Sequence, residues 1–114
     1  MNVEELLEQI KTDPKSVEFK EVLLTIDEYY DYHPTRFSNG AVVNEVGENE
    51  ASCKIFSFCK MHGLDEKETL ACFGKFYRDD VLKNPAATDH ENIRSFMACG
   101  WNALEFEGEA LTAR

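Results

Sequence analysis

The fold of this chain is decided by the segment Asn39-Gly40-Ala41-Val42-Val43-Asn44-Glu45-Val46-Gly47-Glu48-Asn49-Glu50-Ala51-Ser52-Cys53-Lys54-Ile55-Phe56-Ser57-Phe58. It begins with a turn dipeptide, passes through a short β-branched run, and crosses a polar Gly-Glu-Asn stretch into an apolar helical pattern. Helical patterns lie on both sides of it, so this segment interrupts the series of predicted helices. Irregular backbone in a small domain often carries functional side chains. We therefore expect the functional surface to include this segment.

Helical periodicity covers most of the remaining sequence. Apolar residues recur at helical spacing in each stretch, and capping residues or a proline mark where each stretch begins. Five helices are predicted: Val3–Ile10 after an Asn2 cap; Pro14 to about Tyr32 after an Asp13 cap; a central helix after Gly47-Glu48-Asn49-Glu50; a helix from the Asp65-Glu66-Lys67-Glu68 capping box to Val81; and a helix from the Thr88-Asp89-His90-Glu91 capping box through Leu104.

Two short runs alternate in the manner of strands. Ala41–Val46 is β-branched, and Leu104–Gly108 alternates apolar with polar residues, so the two are predicted to pair. Gly74 lies on the apolar face of the fourth helix, where a glycine is explained by close approach of a neighbouring backbone. The fold class we predict is mainly α: a small compact helical domain of about five helices with a minor two-stranded β patch. Residues 1–114 are expected to form a single domain.

Composition excludes several partner classes. The chain has 12 Lys and Arg residues against 22 Asp and Glu, a formal net charge of −10, which argues against nucleic acid and anionic membranes as partners. No apolar run is long enough to span a bilayer, and the acidic first residues lack the pattern of a Sec-type signal. The cysteines show no Cys-x-x-Cys spacing, so we expect reduced, mostly buried thiols: Cys53, Cys59, Cys72 and Cys99.

Three motifs together carry a family resemblance. The first runs from Asn39-Gly40 to Asn44-x-x-Gly47-Glu48-Asn49-x-x-Ser52-Cys53-Lys54. The second is Phe73-Gly74-x-x-Tyr77-Arg78-x-Asp80-Val81. The third is Asp89-His90-x-Asn92-Ile93-Arg94-x-Phe96-Met97-x-x-Gly100-Trp101. This combination resembles the HopJ-type family, which is named for type III effectors of plant-pathogenic bacteria.

The resemblance covers nearly the whole chain and implies a small, mostly helical bacterial protein. It implies location in the bacterial cytoplasm, with injection into a host cell by a type III secretion system if the family name describes this chain. The family supplies no catalytic residue that could be carried over, so catalytic residues stay unknown and enzymatic activity stays open.

The strongest polar candidate lies on the last helix. At about 100° per residue, His90, Arg94 and Trp101 fall on one side of it and could line a pocket for an anionic or carbonyl-bearing ligand. His90 could act as an acid or base near neutral pH, and Arg94 could clamp a carboxylate. The structural alternative is that Trp101 is core, Arg94 lies over it, and His90 belongs to the helix start.

Two further polar groups complete the candidate site. Asn44, Glu48 and Asn49 form either a capping network or a ligand-facing edge, with Glu48 as a conceivable base. Arg78 suits an ion pair with a neighbouring helix, and it could equally face a ligand. Metal coordination by Asp80, Asp89 and His90, joined by Glu48 or His33, lacks a recognisable ligand spacing, so we expect no metal and no cofactor. Neither the buried thiols nor Ser52 has a readable base partner for nucleophilic catalysis.

Two functions of different class fit these observations. The first, which we favour, is an effector-like interaction protein that binds a host or bacterial partner protein. The second is a small-molecule-binding protein or enzyme with a pocket between residues 44–49 and the start of the last helix. A pocket requires polar atoms of these two segments to converge on a cavity; an interaction protein should show those groups paired with one another and an exposed patch elsewhere. The sequence indicates no oligomeric state.

Overall fold

The chain forms five α-helices and one π-helix. The structure, a computed structural model, describes residues 1–114. The helices are α1 (Val3–Thr12), α2 (Phe19–Tyr29), α3 (Glu50–Met61), α4 (Glu66–Ala71), the π-helix (Phe76–Val81) and α5 (Glu91–Cys99), with short 3₁₀ turns at Pro14–Ser16 and Trp101–Ala103. The strands are β1 (Tyr30–Tyr32), β2 (Phe37–Asn39), β3 (Val42–Asn44), β4 (Leu104–Phe106) and β5 (Leu111–Ala113). A compact helical fold with a small antiparallel sheet is confirmed, but the prediction of a mainly α domain of about five helices holds only in part, because six helices and five strands are present.

Two of the four predicted helix caps are confirmed. Asn2 and Asp65 each accept a hydrogen bond from the third helical N–H, and Glu5 and Glu68 reciprocate. The other two predictions are wrong. Asp13 precedes a 3₁₀ turn and caps nothing with its side chain, and α2 begins only at Phe19. The start of α5 is marked by His90 rather than Thr88, without a side-chain cap.

The strands form two small antiparallel sheets rather than one two-stranded patch. β2 is the middle strand of β3-β2-β4, and β1 pairs with β5. The predicted pairing of the 41–46 and 104–108 runs is therefore wrong. Both runs pair instead with β2, a strand that was not predicted. Phe37 explains the order, because its ring is buried and stacks on Phe106 of β4 at 5.4 Å between centroids. β1 occupies residues predicted to end α2, and β5 orders the chain after Glu109.

A turn forms at the predicted Asn39-Gly40 dipeptide, between β2 and β3, although it is not the type I′ turn in which Asn and Gly are the two central residues. Gly40 holds a φ of +61° at the first central position of a two-residue hairpin turn, where a type II′ turn places glycine. A Cβ on Gly40 would lie 2.7 Å from the Ser95 hydroxyl oxygen, so the turn rests directly on α5.

The predicted fourth and fifth helices are each interrupted at a glycine. α4 ends at Ala71, and Gly74 adopts a φ of +59° before the π-helix begins. α5 ends at Cys99 because Gly100 has a φ of +66°, which places Trp101 outside the helix and Leu104 in a strand. The apolar spacing continued across both breaks because the residues beyond each glycine still face the core. The apolar periodicity therefore predicted which side of these two segments faces the core, but it overestimated the length of both helices.

The core is aromatic and centres on α3. The Phe56 ring lies 5.0 Å from that of Phe96 and 5.3 Å from that of Phe73. Phe56, Phe58 and Ile55 are fully buried, which confirms the expectation that this helix is covered on more than one side. Three of the cysteines are buried and Cys99 is exposed; all four are free thiols. No helix combines the length and apolar content needed to cross a membrane.

At Gly74, the segment between α4 and the π-helix lies close to the backbone at the start of α2. A Cβ built there would lie 2.8 Å from the backbone nitrogen of Phe19 and 3.4 Å from the carbonyl oxygen of Val17. The predicted close approach is thus confirmed, and the positive φ adds a second requirement for glycine.

We predict that Gly74→Ala destabilises the protein by about 2–4 kcal/mol, because a methyl group would be overpacked against backbone in a left-handed conformation. Gly63→Ala is the matched control: its φ is +65° and nothing lies within 4 Å of its added Cβ. Urea denaturation of both variants separates the two effects. Equal losses of unfolding free energy in the two variants would contradict the steric explanation.

A half-buried histidine makes stability depend on pH. The His62 Nε2 and the Tyr30 hydroxyl share a hydrogen bond of 2.7 Å, and burial lowers the pKa of His62 from its ordinary value of 6.5. The unfolded chain therefore takes up this proton at a higher pH than the folded chain does.

We predict that unfolding free energy falls as pH drops from about 7 to about 5, and that His62→Gln shows a shallower fall. The two proteins differ only at this side chain, so the difference between the two pH curves isolates His62. Thermal unfolding at several pH values measures it; parallel curves for the two proteins would refute this assignment.

Candidate functional site

A polar cleft lies where α3 and α5 begin. Its volume is about 500 Å³, and its walls come from both helix starts, the beginning of α2 and the π-helix. We call it the Asn49–His90 cleft. Its lining residues are Phe19, Asn49, Ser52, Phe73, Phe76, Thr88, Asp89, His90, Glu91, Asn92 and Ile93.

The cleft is framed by two residues with left-handed backbone. Asn49 (φ +49°) and His90 (φ +52°) are the residues preceding α3 and α5, and neither helix has a side-chain cap. Asparagine tolerates this conformation, whereas for histidine it costs about 1 kcal/mol or more. The surrounding contacts must hold both residues in place.

A network of buried asparagine amides supplies those contacts. The Asn92 side chain donates to Asn44 Oδ1 at 2.9 Å and accepts from the amides of Asn44 and Asn39 at 3.1 Å. Asn49 donates to the same Asn44 oxygen at 2.6 Å, and Asn39 also reaches the Asn92 carbonyl oxygen at 2.8 Å. The network ties both strands of the hairpin to the first turn of α5. The 44–49 segment therefore lies against the start of the last helix, as the pocket hypothesis requires.

His90 is held on the opposite wall. Its Nε2 lies 3.1 Å from Asp80 Oδ2 and 3.8 Å from Asp89 Oδ2, and its ring lies 5.3 Å from that of Phe76. Asp80 and Asp89 thus meet across the Pro85 loop. The structure contains no group of three or more His, Cys, Asp or Glu side chains arranged to hold a metal ion.

Arg94 is hydrogen-bonded to the loop before α5 and does not line the cleft. It donates to the Asp89 carboxylate at 2.7 Å, to the Asp89 carbonyl at 2.6 Å and to the Asn84 carbonyl at 3.0 Å. Hydrogen bonding to this guanidinium lowers the pKa of the Asp89 carboxyl below its usual range.

The remaining predicted residues lie elsewhere. Glu48 accepts from the Glu45 backbone N–H at 2.9 Å and does not line the cleft. Trp101 packs against Phe56 and Phe96 and donates from its indole to the Leu64 carbonyl at 3.0 Å, so it belongs to the core. Arg78 donates to the carbonyl oxygens of Val17 and Pro14 and does not line the cleft, so the predicted ion pair with a neighbouring helix is wrong. The predicted face of His90, Arg94 and Trp101 therefore does not exist.

Sequence reasoning missed Asn92, Asn39 and the aromatic wall formed by Phe19 and Phe76. Asn92 had a detectable signal, because it lies four residues before the core residue Phe96 on the same side of the helix. A polar side chain at a core position is hydrogen-bonded inside the protein in most cases.

The cleft contains no nucleophile paired with a base. Ser52 and His90 both line it, but no hydrogen bond joins them. Burial raises the pKa of the Cys53 and Cys59 thiols, which disfavours the reactive thiolate. What the arrangement can do is hydrogen-bond a small polar group through Ser52, His90 and Asn49.

We predict that Asn92→Ala destabilises the protein by about 2–4 kcal/mol, because it removes three side-chain hydrogen bonds from the buried amides of Asn39 and Asn44. Asn102→Ala is the control, since Asn102 is exposed and makes no side-chain hydrogen bond. Chemical denaturation measures both. A loss in the Asn92 variant no larger than in the control would mean that the network contributes no stability.

Comparisons with known proteins bear on the whole chain. Residues 3–111 match the family described as HopJ type III effector protein. Among solved structures, the crystal structure of the unknown function protein VPA0580 is 45% identical, covers 100% of this chain and 95% of that chain, and superposes with a TM-score of 0.98. No curated protein gives a significant match. The resemblance carried by the three motifs is confirmed, and the chain belongs to the HopJ type III effector protein family.

Proposed function

We propose that this protein is an effector-like binding protein and that its ligand is another protein. One observation carries the proposal. Each of the seven side chains expected to bind a ligand is engaged in an intramolecular hydrogen bond, Asn44 and Asn49 with each other and the others with further parts of the chain: Asn44, Glu48, Asn49, Arg78, His90, Arg94 and Trp101. Type III secretion into a host cell is the setting we propose with it, in keeping with the family.

An exposed apolar groove supplies the proposed contact surface. It has a volume of about 310 Å³, lies between the π-helix and α5, and has Leu82, Pro85 and Met97 among its walls. Leu82 is 48% exposed and Met97 is 44% exposed. We call this surface the Pro85 groove. Two large apolar side chains side by side on a water-facing surface are typical of a docking site for an apolar anchor.

Charge indicates the chemistry of the partner. The chain carries a formal net charge of −10. Close to the groove in sequence, Asp79 and Asp89 are ion-paired with Lys83 and Arg94, so the attraction comes from the net charge of the molecule. A partner with basic residues flanking an apolar anchor would be attracted to a protein of this charge.

The test is site-specific photocrosslinking in host-cell and bacterial extracts. We expect a crosslinker at Met97 to give a discrete adduct with a protein carrying a basic segment, and one at Leu24, which is 58% exposed on α2, to give none. Leu82→Lys should reduce the adduct more than Leu82→Glu, because lysine adds repulsion to the loss of apolar contact. Equal adducts at both crosslinker positions, no adduct, or equal effects of the two substitutions would each contradict the proposal.

A second candidate function is small-molecule binding in the Asn49–His90 cleft. It is supported by the cleft volume of about 500 Å³ and by the polar side chains that both helix starts bring to it. On this hypothesis His90→Ala leaves the melting temperature nearly unchanged and abolishes the thermal shift produced by a ligand. A thermal-shift screen of metals and of acidic or phosphorylated metabolites tests it, and a screen with no His90-dependent shift would reject it.

A further inference from the structure

A second cleft lies on the other side of the Phe19–Phe76 wall. Its volume is about 380 Å³, and it is lined by Glu18, Phe19, Lys20, Lys75, Phe76 and Arg78. Three cations therefore meet at one concave surface of a protein that carries 22 acidic and 12 basic residues. We call it the basic cleft. The net charge of its lining residues is positive, whereas the net charge of the whole protein is negative.

The cations of the basic cleft have no carboxylate partners. Arg36, Arg94 and Arg114 each form an ion pair, whereas Arg78, Lys20 and Lys75 form none. Arg78 is instead fixed by the carbonyl oxygens of Val17 at 2.9 Å and Pro14 at 3.4 Å. These bonds use part of its five-donor guanidinium and leave its charge unneutralised. A cation held in place without a counter-charge is already organised to receive an anion.

The rest of the cleft is suited to an anion with an aromatic or apolar group attached. The Phe19 and Phe76 rings meet edge to face at 4.9 Å between centroids and form a wall shared with the Asn49–His90 cleft. The uncapped start of α2 adds the positive end of its dipole. Glu18 is the one acidic residue of the lining. It offsets one of the three cationic charges, so the net charge of the lining stays positive. The floor is rigid because the Phe19 backbone packs directly on Gly74.

We propose that the basic cleft binds the phosphate group of a small aromatic phosphate, with the phosphate at Lys20, Lys75 and Arg78 and the ring against Phe19 and Phe76. The proposal is independent of partner docking at the Pro85 groove. It can fail while that function stands.

The test is an NMR titration of the full chain with phenyl phosphate, inorganic phosphate and phenol. We expect phenyl phosphate to shift the amide resonances of residues 18–20 and 74–78, inorganic phosphate to bind more weakly, and phenol to leave them unchanged. Rising salt should weaken binding, because the site is open to water.

The variants leave Arg78 intact, since its removal would also break the contacts to Pro14 and Val17. Lys20→Gln with Lys75→Gln should weaken phenyl phosphate binding about tenfold, a few-fold for each exposed charge. Lys11→Gln with Lys67→Gln is the control, which changes net charge equally at exposed lysines outside the cleft. Equal affinities of the two double variants, phenol or inorganic phosphate binding as tightly as phenyl phosphate, or no shift at about 10 mM phenyl phosphate would each overturn the proposal.

Discussion

The asparagine network between the hairpin and α5 is the constraint on which the rest of the structure depends. An amide buried without a partner costs about 1–3 kcal/mol, and the side chains of Asn44 and Asn92 satisfy each other through two hydrogen bonds. Their pairing fixes the distance between β3 and the first turn of α5. It also fixes the positions of Asn49 and His90, the two left-handed residues from which α3 and α5 start. The central helix, the last helix and the cleft between them are therefore positioned by one set of polar contacts.

The sequence predicted most of the helices, because helices depend on local patterns. Apolar spacing identified the buried faces, and the caps at Asn2 and Asp65 matched the structure. The prediction that residues 44–49 lie against the last helix was also correct. The failures share a physical cause: Gly74 and Gly100 end helices through positive φ, and an uninterrupted apolar spacing cannot reveal that. β2 was not predicted because it has only three residues, two of them buried, which is too short to show the alternation typical of a strand.

The individual site residues were less predictable than their location. His90, Arg94 and Trp101 do not share a helix face because His90 precedes α5 with left-handed backbone and α5 ends at Cys99, before Trp101. Helical projection assumes a continuous helix, so it fails for both His90 and Trp101. The same reasoning missed the basic cleft, because Lys20 lies on α2, whereas Lys75 and Arg78 lie more than fifty residues later. What brings them together is the close packing of two backbones at Gly74, a tertiary contact with no local signature.

The strand pairing has a consequence for how the chain folds. β2 joins β4, with Phe37 opposite Phe106, and β1 joins β5, with Tyr30 opposite Ala113. Both pairings connect segments separated by most of the polypeptide. Loop-closure entropy must be overcome before such contacts form, and proteins rich in them fold more slowly than helical bundles do. A protein that is mostly helical by content should therefore have the kinetics of a topology with high contact order, with its sheets completed late.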